Sequence, residues 1–263
     1  MENIYVIKIG GNVIDDEHSL KNFLHDFASI PSKKVLIHGG GKIANKIGEQ
    51  LNIQPNYING RRITDRETID LVTMVYGGLL NKKIVALLQS FSCNAIGLTG
   101  ADANLIPATK RLVTDIDFGF VGDINNYELS IINYQLFLEN GLTPVLAPLT
   151  HDGKGQILNT NADTVASVIA VALSSSYNVR LIYCFEKKGV LDNISDESSV
   201  ISHITRSSYE SLITENKLHD GMIPKMQNAF NAIERGVQEI VIGDARDLLQ
   251  NVSQNNSGTL ITA

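Results

Sequence analysis

The chain has 263 residues, enough to bury a full core as one large α/β domain or two lobes. A hydrophobic share of 43% with a charged share of 19% excludes a disordered chain. The net charge of -6, with no block of lysine or arginine, argues against nucleic acid as a main partner.

Met1-Glu2-Asn3 passes directly into a strand pattern, so no signal peptide is expected. No apolar segment reads as approaching the roughly 20 residues of a membrane span, so no membrane partner is expected either. Cys93 and Cys184 each lie in an apolar run, which predicts core thiols of a reducing cytoplasm rather than a disulfide.

Asn3 to Ile9 reads as a strand rich in branched residues, interrupted by Lys8 and followed by Gly10-Gly11. A lysine in a buried strand is unfavourable unless its ammonium finds a partner. At the carboxyl end of a parallel strand that partner is usually a ligand; a side chain snorkelling to the surface is the alternative. Ser19 to Ala28 has helical spacing.

Val35 to Lys42, Val-Leu-Ile-His-Gly-Gly-Gly-Lys, reads as a buried strand running through a glycine turn into a helix. Such a turn suits a phosphate, because glycines admit close backbone approach and the helix start offers free N–H groups. A dinucleotide site would want an acidic residue about 20 positions on, where Asn59, Gly60 and Arg61 stand instead. A Walker A loop fails because Ile43 follows the lysine. A glycine turn serving only tight packing stays open.

Asn59-Gly60 signals a hairpin between Tyr57-Ile58 and Arg62-Ile63. Thr64-Asp65-Arg66-Glu67 reads as a capping box opening a helix to about Phe91. Gly77-Gly78 within it suggests close approach by another helix, in a dimer or within the molecule. Asn94 to Leu98 is a third strand, Pro107 to Asp123 a hairpin, Leu129 to Leu138 a helix, and Thr143 to Ala147 a fourth strand. In Asn159-Thr160-Asn161-Ala162-Asp163, Asn161 suits a helix N-cap and Asp163 the first turn. In extended chain Asn159 and Asn161 point the same way, so together they could hold a ligand. Val179 to Cys184 is a fifth strand, and the following loop could carry a nucleotide. Ser207 to Glu210 reads as a second capping box, Pro224 suits the first turn of a helix over Met226 to Arg235, and Glu239 to Gly243 and Gly258 to Thr262 complete the sheet. Strands alternating with helices imply a mostly parallel sheet covered on both faces.

The inventory suits phosphoryl transfer, which needs backbone donors, cations to neutralise spreading charge, and a group to hold those cations. No Ser-His-Asp or Cys-His nucleophile set and no His/Cys cluster of zinc spacing is read.

Lys8-Ile9-Gly10-Gly11, His38-Gly39-Gly40-Gly41, Asn59-Gly60-Arg61-Arg62, Asn159-Thr160-Asn161-Ala162-Asp163 and Gly221-Met222-Ile223-Pro224-Lys225 resemble, in matching order, motifs of the amino acid kinase family. The resemblance runs from Ile4 to Thr262 and is to members that phosphorylate N-acylglutamate. It implies an α/β fold: a three-layer αβα sandwich on an open, mainly parallel sheet of about eight strands. It implies one kinase domain over 1–263, with a lobe 1–173 for acylglutamate binding and dimerisation and a lobe 174–263 for ATP. The implied reaction is ATP-dependent phosphorylation of the side-chain carboxylate of N-acetyl-L-glutamate, in arginine biosynthesis, by a cytoplasmic homodimer.

By the same resemblance, Lys8 would bind the phosphoryl group from the acceptor side and Lys225 from the ADP side, with Asp163 holding both lysines. Gly11 and Gly40 would donate N–H groups to it. Gly40 and Gly41 would meet the amino acid substrate, Arg62 its α-carboxylate, and Asn159 and Asn161 its amide. The nucleotide would lie over Gly10, Glu186, Lys187, Lys188, Gly189, Val190 and Leu191, and over Lys217, Leu218 and His219. Mg²⁺ would ride on the ATP phosphates, with no dedicated protein metal site.

Three departures stand out. Phe185-Glu186-Lys187 replaces the usual Thr-Asp-Val, and Thr99-Gly100-Ala101-Asp102 lacks the usual lysine. Arg61 stands where leucine is usual: it either supplies a cation to an acidic acyl group, making N-succinyl-L-glutamate the substrate, or points to solvent. Arginine-inhibited members carry an extra N-terminal helix; with the first strand entered by Asn3, a dimer insensitive to arginine is expected. A non-catalytic sensor on this fold would be expected to lose Lys8, Lys225 or Asp163, and all three are present.

Overall fold

A computed structural model describes residues 1–124, 129, 131–193, 195–215 and 222–263. Eight strands form its central sheet, in the spatial order His203–Ile204, Thr259–Ile261, Glu239–Asp244, Tyr177–Phe185, Glu2–Ile9, Lys33–His38, Thr143–Leu146 and Ala95–Leu98. Every neighbouring pair is parallel except Thr259–Ile261, which runs antiparallel to Glu239–Asp244.

Alternation along the strands divides the core. From Glu2–Ile9, Ile4 and Val6 join one layer with the helices Ile131–Glu139, Ala162–Ser174 and Ile223–Glu234, while Ile7 and Ile9 join the other. That second layer holds Glu17–Ser29, the long helix Arg66–Ser90 and Leu248–Val252. The three-layer αβα sandwich therefore stands as expected, with Cys93 and Cys184 both buried as free thiols. Glu2–Ile9 is followed on one side by Lys33–His38 and, much later in the chain, on the other by Tyr177–Phe185. This reversal of direction opens a crevice at the carboxyl edge of the sheet.

Several local expectations change. The helix after the Asn59-Gly60 hairpin is capped by Asp65, whose Oδ1 accepts the Thr68 N–H at 2.8 Å. Thr64 is unavailable as a cap because its backbone is bonded to Phe118 and Phe120. The second cap is Thr205 with Ser208, not Ser207 with Glu210, because the chain first makes the two-residue strand His203–Ile204, too short to show as a pattern. The long helix is not uniformly α: Thr73–Leu80 is π-helical between Arg66–Val72 and Asn81–Ser90. A five-residue helix, Gly11–Asp15, follows the first glycine turn without a periodic signal.

Arg66–Ser90 corrects the reading that no apolar segment approaches the length of a membrane span. At 25 residues, with a mean hydropathy of 1.4 in its most apolar window, it is long and apolar enough to cross a membrane. Its Ile69, Val72, Val75, Leu80, Ile84 and Leu88 are instead buried against the sheet, as in a core helix. Of its glycine pair, Gly77 serves an approach within the molecule, since a Cβ there would lie 3.3 Å from Leu149 Cδ1. Gly78 faces open space beside the exposed Met74 and Leu79.

Candidate active site

Lys8 lies on the sheet face covered by Ala162–Ser174, in register with Tyr183. That helix begins where Asn161 Oδ1 accepts the N–H groups of Asp163 (2.8 Å) and Thr164 (3.1 Å). The cap fixes Asp163 above the end of the first strand, and Tyr183 OH donates to its carbonyl at 3.2 Å. Lys8 is 7% exposed, so its ammonium needs a partner there, and Asp163 Oδ1 stands 2.7 Å from Nζ. The contact is an ion pair by distance, lacking a hydrogen bond's alignment: Oδ1 is buried and accepts no hydrogen bond from the protein.

Lys225 arrives from the far end of the chain, in the first turn of Ile223–Glu234, where proline stands at the start as expected. Its Nζ lies 3.8 Å from the centroid of the Phe185 ring, and Lys8 Nζ lies 4.9 Å from the same centroid. The two ammonium groups are therefore separated by no more than the sum of those distances. Cation–π attraction offsets part of the repulsion between them. Burial lowers the pKa of Lys225 below the ordinary lysine value; Asp163 opposes that shift and the charge on Lys8 adds to it.

Two cavities meet at this group. One, about 360 Å³, is lined by Lys8, Gly10, Gly11, Glu186, Lys187 and Gly189, among others. The second, about 730 Å³, is lined by Gly41, Arg61, Arg62, Asn159 and Asn161, with Tyr76, Arg111 and Asn228. Asp163 and Lys225 belong to both walls. A third cavity, about 730 Å³ and lined by His18, Asp26 and Arg246, shares Phe185 and Glu186 with the first but includes neither Lys8 nor Lys225.

The side chains of the second cavity are held from behind. Arg62 is 8% exposed; its Nη2 donates to Gly41 O at 3.1 Å and to Asn45 Oδ1, and its guanidinium lies over the Tyr57 ring. Asn159 Nδ2 donates to Thr64 Oγ1 at 3.0 Å. Asn161 has its oxygen engaged by the helix cap, so only its amide NH₂ remains for a ligand. Arg61 is exposed on the wall, and among the described residues its guanidinium has no hydrogen bond or ion pair.

Other sequence candidates fall elsewhere. Gly40 is buried beside Tyr76 and Leu80 and its Cα lines neither of the two cavities, while Gly41 lines the larger one. Lys188, Val190 and Leu191 do not line the smaller cavity; Val190 is buried and its N–H donates to Thr259 Oγ1 at 2.8 Å. Lys217, Leu218, His219 and Gly221 lie outside the described residues.

Asn228 and Arg111 are among the wall residues that escaped the sequence reading. Asn228 follows Lys225 by three positions and so shares its helix face, a spacing that could have found it. Arg111, in a fork-like pair with Asp123 (Nε to Oδ1 3.0 Å), sits in a hairpin with no motif to mark it.

Gly40 adopts φ 149°, a conformation that disfavours side chains, and a Cβ there would run into Leu80 Cδ1 and sit 3.2 Å from the Tyr76 ring. Gly40→Ala is expected to destabilise the fold by about 2–4 kcal/mol through overpacking and backbone strain. Thermal unfolding checks this: an unchanged Tm would contradict it.

The model of the amino acid kinase family matches residues 3–244. The chain belongs to the amino acid kinase family. It is 52% identical over 265 residues to the acetylglutamate kinase of Cytophaga hutchinsonii, covering 100% of both chains. It is 50% identical over 260 residues to the acetylglutamate kinase of Bacteroides thetaiotaomicron, covering 99% of this chain and 98% of the relative. Among solved structures it is similar to smu.665 of Streptococcus mutans UA159, with a TM-score of 0.75, 28% identity, and coverage of 99% of this chain and 98% of the other. In this amino acid kinase the departure at Phe185 has a visible consequence, since its ring lies against both lysines.

Proposed function

We infer that this amino acid kinase is an ATP-dependent acetylglutamate kinase, phosphorylating the side-chain carboxylate of N-acetyl-L-glutamate in arginine biosynthesis. One observation carries the reading: a glycine-lined cavity and an arginine- and asparagine-lined cavity share Asp163 and Lys225 at their junction, with Lys8 paired to Asp163. The relatives named acetylglutamate kinase support the choice of acceptor.

On this reading ATP occupies the smaller cavity, its phosphates toward Gly10 and Gly11, over Glu186, Lys187 and Gly189. The two cations, with Lys8 held 2.7 Å from the buried Oδ1 of Asp163, fit a triphosphate whose charge must be neutralised. The acceptor occupies the larger cavity, with Arg62 on its α-carboxylate and Asn159 and Asn161 at its amide. An acceptor oxygen, already ionised at neutral pH, attacks the γ-phosphorus while the bond to the ADP bridging oxygen breaks, the electron pair leaving with ADP. Lys8 stabilises the equatorial oxygens from the acceptor side and Lys225 from the leaving side. Gly11 and Gly40 supply N–H donors. Asp163 keeps the two ammonium groups on one locus, and no general base is needed.

Mg²⁺ bound with the nucleotide supplies further charge neutralisation. Residues 1–173 form the acylglutamate lobe and 174–263 the ATP lobe. The outward face of Arg66–Ser90, with exposed Met74, Gly78 and Leu79, suits a homodimer contact. The cytoplasm, where ATP is supplied and thiols such as Cys93 and Cys184 stay reduced, is the compartment.

A coupled ADP-release assay with hydroxylamine trapping tests the reaction. Hydroxamate formed in step with ADP, and only with N-acetyl-L-glutamate present, is the expected result; ADP without hydroxamate would contradict it.

Two finer expectations follow. Because burial lowers the Lys225 pKa in the free enzyme, its positive charge is lost as pH rises through a value below 10.5. The kcat/KM for ATP should therefore fall on the alkaline side earlier than an ordinary lysine would allow. A Lys225-linked fall that comes no earlier than an unperturbed lysine's, in a pH profile, would contradict this. Arg61 offers an unpaired cation to an acyl group bearing its own carboxylate, so N-succinyl-L-glutamate is the alternative substrate. Arg61→Leu should lower kcat/KM for the succinyl substrate about tenfold relative to the acetyl one. An unchanged ratio would place Arg61 in solvent.

A further inference from the structure

His38, ahead of the three glycines, is completely buried yet makes two polar contacts that define its protonation. Its Nδ1 lies 2.8 Å from the carbonyl of Gly39, which can only accept, so Nδ1 carries the proton. Its Nε2 lies 3.2 Å from Asn81 Nδ2, an amide nitrogen that can only donate, so Nε2 is bare. Burial pushes the imidazole pKa down to about 4, consistent with a ring kept neutral by these two neighbours.

Asn81 is itself 1% exposed and held on three sides. Its Nδ2 also donates to Val145 O at 2.9 Å, and its Oδ1 accepts from Lys82 Nζ at 3.2 Å. It directly follows the π-helical stretch Thr73–Leu80, whose Tyr76 and Leu80 press on Gly40. A π-helical insertion in an α-helix shifts the face that later residues present, and such insertions gather at functional sites.

Gly39 C=O and Gly40 N–H belong to one planar trans peptide, so they point in opposite directions. A bond that holds the carbonyl toward His38 therefore turns the Gly40 N–H away from it. Among the described residues that N–H meets no acceptor, whereas Gly40 O is engaged by Ala44 N–H at 3.0 Å.

We propose that Asn81 and His38 form a fixed relay from the π-helical segment to the glycine turn, setting the direction of the Gly40 N–H, the donor that the kinase reading assigns to the transferred phosphoryl group. The relay rests on the kinase reading given above. Both are positioning residues: neither touches substrate, and neither changes protonation during the reaction. A donor aimed at charge that develops only in the transition state affects kcat more than binding.

The test compares His38→Phe, Asn81→Leu and the double variant with wild type. Each single variant should lose kcat about 10- to 100-fold, with KM for ATP and for N-acetyl-L-glutamate within about threefold of wild type. The double variant should lose no more than the worse single one, because the two act as a unit. A kcat within twofold of wild type in folded variants, losses that appear in KM, or additive losses would overturn the relay. If the variants fail to fold, ¹⁵N-imidazole NMR of wild type decides: a protonated Nδ1 and bare Nε2 on His38 is expected, and the opposite tautomer or an imidazolium overturns it. Wild type without transferase activity would instead fail the kinase reading, leaving the NMR result to decide the geometry.

Discussion

Lys8→Met is expected to lower kcat about 10³-fold while leaving KM for ATP within a few-fold. Removing one preorganised donor from the site of developing charge typically costs 10²–10³-fold, and Lys8 supplies a full charge rather than a neutral N–H. Methionine keeps most of the side-chain volume, so packing against Phe185 survives while the ammonium is lost. Asp163 would remain near Lys225, so its carboxylate is not left wholly uncompensated and the protein should still fold. Lys8→Arg should recover little, because a planar guanidinium cannot replace a compact ammonium seated 2.7 Å from Asp163 Oδ1 in a buried slot. Steady-state kinetics at saturating substrates measure the effect, and a kcat within tenfold of wild type would contradict it.

Arg62→Leu should act on the other side of the junction and on the other parameter. A guanidinium bound to the α-carboxylate makes the same contact in the ground and transition states, so its loss raises KM with kcat nearly unchanged. A charge-assisted hydrogen-bond pair contributes about 1.5–3 kcal/mol, which corresponds to a KM for N-acetyl-L-glutamate raised roughly 10- to 100-fold. KM for ATP should stay within twofold, since Arg62 lines only the larger cavity. A small fall in Tm should accompany the loss of the bonds to Gly41 O and Asn45 Oδ1. An equal rise in both KM values, or a selective loss of kcat, would contradict this assignment.

The parts of this protein that could be read from its sequence are those where one residue type violates its surroundings. Lys8 was legible because a cation stands in an otherwise apolar strand, and the fold resolves it with Asp163. The Asn161 cap and the Asp163 first-turn position were legible because helix starts select those side chains for a local, sequence-near reason. The sheet was legible wherever branched residues ran for four or more positions.

What escaped depends on contacts that sequence spacing does not encode. The Asp65 cap won over Thr64 because a distant segment, Phe118 to Phe120, claims the threonine backbone. The π-helical stretch Thr73–Leu80 has α-like composition, which does not reveal that each backbone N–H there will meet the carbonyl one residue further back than in an α-helix. Arg111 reaches the cavity wall from a hairpin whose two short strands, Thr109–Lys110 and Gly122–Asp123, carry no motif.

The convergence of Lys8 and Lys225 on one migrating phosphoryl group is tested most directly by a crystal structure of the enzyme with ADP, an aluminium fluoride mimic of the phosphoryl group and N-acetyl-L-glutamate. The expected result places both Nζ atoms within about 3 Å of the fluorides, one from each side, with Asp163 between them. A complex in which either ammonium lies away from the mimic would contradict the account.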